Sequence, residues 1–175
     1  LELSLFLSLP ASIALIVAPD EIISALFGYG QFNESSVSNS AKALYYFSFG
    51  LPAFAMIKVF SNFFFANQDT KTPFYISLIS VLLNLLISIY YFRLVGFIII
   101  PIATTISSWI NLILLFLFIK KRNLFSFNKI FISRFFKILL SSIFMGLFFN
   151  YLIILFNDQL SFENSYKSVY LIFSV

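Results

Sequence analysis

Lys58 is the one ionisable residue deep within an apolar run of this chain, and Ser61 and Asn62 follow it within about one helical turn. A lone ammonium there could meet an anionic ligand or pair inside a helix bundle, and the residues leave both open. Contact with hydrocarbon would cost at least about 2.5 kcal/mol, so the group is expected to face protein or water. Asn62 would add an amide that both donates and accepts. A second set, Ser77, Ser80, Asn84 and Ser88, recurs at steps of three and four, and Thr104, Ser107, Ser108 and Asn111 form a matching stripe. Residues so spaced share one helix face. Such stripes let helices approach and share hydrogen bonds, each worth roughly 0.6 kcal/mol in a membrane. Alternatively, Asn84 and Thr104 bind a small coupling cation. Pro101 cannot donate to the carbonyl of Phe97, and an oxygen freed in this way is what transporters with broken helices offer to ions.

Other chemistries are removed by composition. There is no Cys and no His, so disulfides, thiol nucleophiles, imidazole bases and the usual transition-metal ligands are absent. No Asp or Glu falls within an apolar run, which leaves no carboxylate relay and no paired-carboxylate centre. The residues therefore suggest no catalytic set, no metal centre and no cofactor.

The elements that would carry these stripes are membrane helices. The chain is 61% hydrophobic and 10% charged, with mean hydropathy +0.99, far from a soluble globular domain. About 20 apolar residues cross a bilayer as a helix. The runs predict five spans, near residues 3–18, 41–66, 73–92, 97–119 and 135–156, and a sixth cut short at 167–175. None shows the alternation of a barrel strand. The fold class expected is an all-α integral membrane protein, a polytopic helix bundle. Pro19 to Gly28 predicts a short interfacial helix, with acids in its first turn and Gly at its end, followed by a helix start near Ser38 to Ser40. Pro10 predicts a kink in the first span. Between the second and third spans lies the polar island Asn67-Gln68-Asp69-Thr70-Lys71-Thr72-Pro73, where Thr72 would cap the next helix and Pro73 would open it. The chain lacks an initiator Met and runs into apolar sequence at both ends, as an internal piece of a longer protein would.

The net charge of +4 need not mean nucleic acid, because the basic residues flank apolar spans. Lys120, Lys121, Arg122, Lys129, Arg134 and Lys137 precede or open the fifth span, and Lys71 lies on the same side. The other side carries Asp20, Glu21, Glu34, Asp158 and Glu163 against three cations. The positive-inside rule makes the island cytoplasmic and sends the first span outward.

The run Gly50-Leu51-Pro52-Ala53-Phe54, with Lys58-Val59 and Phe64-Phe65-Ala66 leading into Gln68-Asp69-Thr70-Lys71-Thr72-Pro73, closely resembles a segment of the MurJ (MviN) lipid II flippases. Three further stretches agree in order: Leu9-Pro10-Ala11-Ser12; Leu26-Phe27-Gly28-Tyr29-Gly30-Gln31-Phe32; and Gly96, Ala103-Thr104 and Trp109-Ile110-Asn111 before Lys120-Lys121-Arg122. The resemblance covers about residues 1–137. It implies helices nine to fourteen of a fourteen-helix exporter of the multidrug and oligosaccharidyl-lipid superfamily, in the bacterial inner membrane. The implied activity is translocation of an undecaprenyl-linked peptidoglycan precursor by alternating access, with that lipid-linked precursor and membrane lipid as partners. The alternative is a flippase for another polyprenyl-linked polysaccharide unit. In the family the cationic cavity is built mainly by arginines of earlier helices, so Lys58 and Asn62 are the candidates for substrate contact here, and Asn84 and Thr104 for the cation.

Overall fold

The first five apolar runs are helical over their described residues, since a helix satisfies its own backbone where water is scarce. The computed structural model describes residues 1–30, 32–122, 129–155 and 171, and all elements among them are helical. In chain order they are α1 (Glu2–Val17), α2 (Pro19–Phe27), α3 (Glu34–Ser48), α4 (Leu51–Ala66), α5 (Lys71–Val95), a 3-10 turn (Gly96–Ile98), α6 (Ile99–Lys121) and α7 (Lys129–Leu155). The sixth predicted span lies outside the described residues except for Leu171.

α6 is the central helix, packed against α3, α4 and α5, while α1 packs against α3, α4 and α7. Leu5, Met56, Phe60, Phe64, Ile76, Leu115 and Ile119 from four of these helices form the main core. Ala18, Ala25, Phe149 and Ile153 form a second cluster where α7 meets α1 and α2. The stretch from Lys71 to Lys121 is 51 residues of apolar helix. Laid straight it would run about 76 Å, more than twice a hydrocarbon core. Instead the chain turns back at Gly96, whose φ of 73° favours a residue without a Cβ, and α5 and α6 pair as a hairpin.

Four residues of the two sequence stripes turn fully inward, and three serines of other helices do the same. Ser8 and Ser12 of α1, Ser80 of α5, Ser107, Ser108 and Asn111 of α6, and Ser142 of α7 are all buried. A Cβ on Gly146 of α7 would collide with the Ile13 side chain of α1, so this glycine sets how closely the two helices approach.

Several boundaries differ from the sequence expectation. The predicted run 41–66 is two helices bent by 47° around Phe49 and Gly50, and the first begins at Glu34 rather than near Ser38. Asn33 supplies the earlier start, because its carboxamide oxygen accepts from the N–H of Ser36. The short helix predicted from Pro19 is present as α2, at 88° to α1. α1 runs through Pro10 as a single helix. α7 begins at Lys129, a turn and a half before the predicted 135, so Arg134 is helical and not in a loop. Its guanidinium donates to Glu2 at 2.7 Å, which ties the first turns of α7 to the start of α1.

Candidate functional site

Lys58 and Asn62 stand one turn apart on α4, and both are exposed. The opposite face of α4 holds Met56, Phe60 and Phe64 in the core, so helical spacing turns the polar pair away from the bundle. Among the described residues Lys58 has no ion-pair partner. The sequence leaves open whether it pairs within the bundle; within the described helices it does not.

Asn84 and Thr104 are brought together. The Asn84 amide donates to the Thr104 hydroxyl at 3.1 Å, Ser88 donates to Asn84 Oδ1 at 3.1 Å, and Thr104 donates to the carbonyl of Ile100 at 2.8 Å. These bonds run in one direction and polarise one another. The accepting carbonyl belongs to Ile100. Phe97, which the sequence offers as a free oxygen, accepts instead from the N–H of Ile99 in the 3-10 turn. In this arrangement Asn84 turns its donor toward Thr104. A cation between the two residues would require the amide to rotate so that Oδ1 faces the hydroxyl oxygen.

The pair opens onto a cleft of about 290 Å³ between α4, α5 and α6, lined by Ser77, Ser80, Asn84, Ser107, Ser108 and Asn111 with Phe54 and Ile57. Hydroxyls here donate backwards along their own helices: Ser80 to Ile76, and Ser107 and Ser108 to Thr104. Their oxygens therefore present lone pairs to the cleft. Asn111 Oδ1 is buried beside them with no hydrogen-bond partner among the described residues. The cleft presents hydrogen-bond acceptors, and no carboxylate lines it.

The polar island is organised differently from the sequence expectation. α5 starts at Lys71 with Thr70 at the cap position, so Thr72 and Pro73 lie inside its first turn. The capping group is Asp69: Oδ1 accepts from the Thr72 N–H at 3.0 Å and Oδ2 from the Thr72 hydroxyl at 2.7 Å. These two bonds, with the Arg122 guanidinium beside them, hold the Asp69 carboxyl down at about 2. Arg122 pairs with Asp69, donates to Thr72 Oγ1 at 3.2 Å and lies over the Phe64 ring. The island thus clamps the end of α6 to the α4–α5 turn, and Gln68 adopts φ 58° within it. Sequence reasoning also missed Ser12, Thr105 and Trp109, which reach the break in 41–66. The signal for that break is Gly50-Leu51-Pro52 in mid-run, since Pro52 begins a helix more readily than it continues one.

The described residues form a polytopic helical bundle with a broken helix and buried polar seams, the architecture of a multi-pass membrane protein. Comparison with known proteins makes this specific. The family described as "Lipid II flippase MurJ" matches residues 1–171, and the chain belongs to that family. A "Probable lipid II flippase MurJ" from Rickettsia prowazekii is 34% identical over 123 residues, 70% of this chain and 24% of that protein. The protein of the same description from Rhizobium meliloti is 39% identical over 115 residues, 66% and 22%. That from Thermotoga maritima is 35% identical over 143 residues, 82% and 28%. A solved structure, "Lipid II flippase MurJ, inward closed conformation", shares the fold with a TM-score of 0.77 at 24% identity, covering 97% of this chain and 34% of that one. The chain thus spans 22–28% of the length of these three relatives.

Proposed function

We propose that this chain is the carboxy-terminal part of a lipid II flippase, which moves an undecaprenyl-linked peptidoglycan precursor across the bacterial inner membrane by alternating access. The observation that carries this reading is the family match over residues 1–171. The activity is transport, with no bond made or broken. The precursor's pyrophosphate and sugars need a hydrated cationic surface, while its prenyl tail remains in hydrocarbon. Lys58 and Asn62 suit the polar head, because an ammonium is a compact hydrated charge for phosphate oxygens and this one stands outward from the core. The exposed Phe136, Phe144 and Phe148 of α7 suit the prenyl tail. Five of the described elements or element pairs cross the membrane: α1, α3 with α4, α5, α6 and α7. The basic end that holds Lys71, Lys121 and Arg134 faces the cytoplasm.

The full-length protein should restore growth to a strain depleted of its lipid II flippase. Failure despite normal membrane expression would exclude lipid II and favour another polyprenyl-linked unit. Asn84 and Thr104 form the cation site of the transport cycle once the Asn84 amide rotates to turn Oδ1 toward the hydroxyl, a reading supported by their adjacency and by the acceptor-lined cleft beside them. Asn84→Leu in the full-length protein should abolish any difference between transport in sodium and in choline buffer. An unchanged difference would dismiss the site.

A further inference from the structure

A helix that stops leaves its last four carbonyls without helical donors, and in a low-dielectric interior each must find another. α3 stops at Ser48 in the middle of a long apolar run, and the four carbonyls from Tyr46 to Phe49 all find donors. The Thr105 hydroxyl donates to Tyr46 at 2.8 Å, and the Trp109 indole N–H donates to Phe49 at 3.0 Å, both from α6. The buried Ser12 of α1 donates to Ser48 at 2.7 Å. The N–H of Gly50 donates to Phe47 at 2.9 Å. A Cβ on Gly50 would lie 3.1 Å from Thr105 Oγ1 and 2.9 Å from the Phe54 ring, so a larger residue would push α6 away from the bend. Pro52 then opens α4 at a position where no backbone donor is lost.

Bends of this kind often serve as hinges. This one is held from two sides by three side chains, of which the Trp109 indole has no carbonyl of its own helix to turn to if it straightens. Straightening would return the Tyr46, Phe47 and Phe49 carbonyls to helical N–H groups, but it would leave that of Ser48 without a donor, because Pro52 has no N–H, and would strand the Trp109 indole among apolar neighbours. Bending further would break the same bonds. We propose that the α3–α4 elbow is a fixed joint, with Ser12, Thr105 and Trp109 as positioning residues. They hold the 47° angle and make α1, α3, α4 and α6 move as one body, so that the Lys58 face keeps one orientation while access alternates elsewhere.

The test measures the distance between spin labels at Lys42 and Ala66, exposed positions on either side of the bend, in full-length protein on a cysteine-free background. One narrow distance is expected, unchanged by adding lipid II or exchanging sodium for choline. The double substitution Thr105→Val, Trp109→Phe should broaden and shift it, and transport should fall about tenfold or more. Thr105→Ser, which keeps the hydroxyl, should leave both as in the unsubstituted protein. A second distance in the unsubstituted protein on adding substrate would make the elbow a hinge and overturn the proposal. So would an unchanged distance in the double variant. If that variant fails to fold, Thr105→Val alone supplies the same comparison. Only the rate measurement rests on the transport reading: if the protein moves no lipid II, the distances still decide whether the joint is fixed.

Discussion

Lys58 shows how much a single side chain owes to the helix that presents it. Its depth in the run is visible from spacing alone, but its direction depends on which residues of α4 enter the core. Met56, Phe60 and Phe64 do so, and that leaves Lys58 and Asn62 on the other face. If the ammonium contacts the precursor, Lys58→Ala should reduce the flipping rate more than Lys58→Arg in a vesicle assay with the full-length protein. Equal rates in all three forms would show that the charge is unused. The pairing of Asn84 with Thr104 is legible from register, because two stripes at helical spacing on a hairpin have few ways to meet. Which atom of the amide faces the hydroxyl is not legible, since that follows from Ser88 donating to Oδ1.

At the scale of elements, close approach governs α1 and α7. Ser142, Gly146 and Asn150 recur at four-residue steps and so lie along one side of α7, yet Ser142 and Gly146 are buried whereas Asn150 is exposed. Gly146→Leu would force a side chain into Ile13 and should lower stability by about 1–3 kcal/mol, the usual cost of overpacking. The measurement is the thermal midpoint of purified full-length protein in detergent, with Asn150→Ala as a control that moves it little. A midpoint unchanged by Gly146→Leu would mean that the helices separate without cost. The polar island shows the opposite dependence: its turn is evident from local composition, but composition points to Thr72 as the cap when Asp69 fills that role. Both residues are good cap formers. Arg122, distant in sequence, helps select Asp69 by pairing with its carboxylate.

For the whole molecule, the ion pairs Arg122–Asp69 and Arg134–Glu2 gather the ends of α4, α6, α1 and α7 on one side. If that side is cytoplasmic, a cysteine at Lys71 or Lys121 in intact cells should resist a membrane-impermeant maleimide until the membrane is opened, and one at Asp20 should react at once. The reverse pattern would invert the topology. Residue order alone was enough to establish an all-helical membrane protein, roughly where its helices lie and which stripes turn inward. Those features follow from hydropathy and periodicity within each run, because a helix closes its hydrogen bonds over four residues. Long-range packing settled where a run breaks, which group caps α5 and that Lys58 stands unpaired among the described residues. The elbow carbonyls are satisfied by Ser12, Thr105 and Trp109, 36, 59 and 60 residues away in the chain. A break of that kind is stable only where partners so distant arrive together, and local sequence holds no record of their arrival.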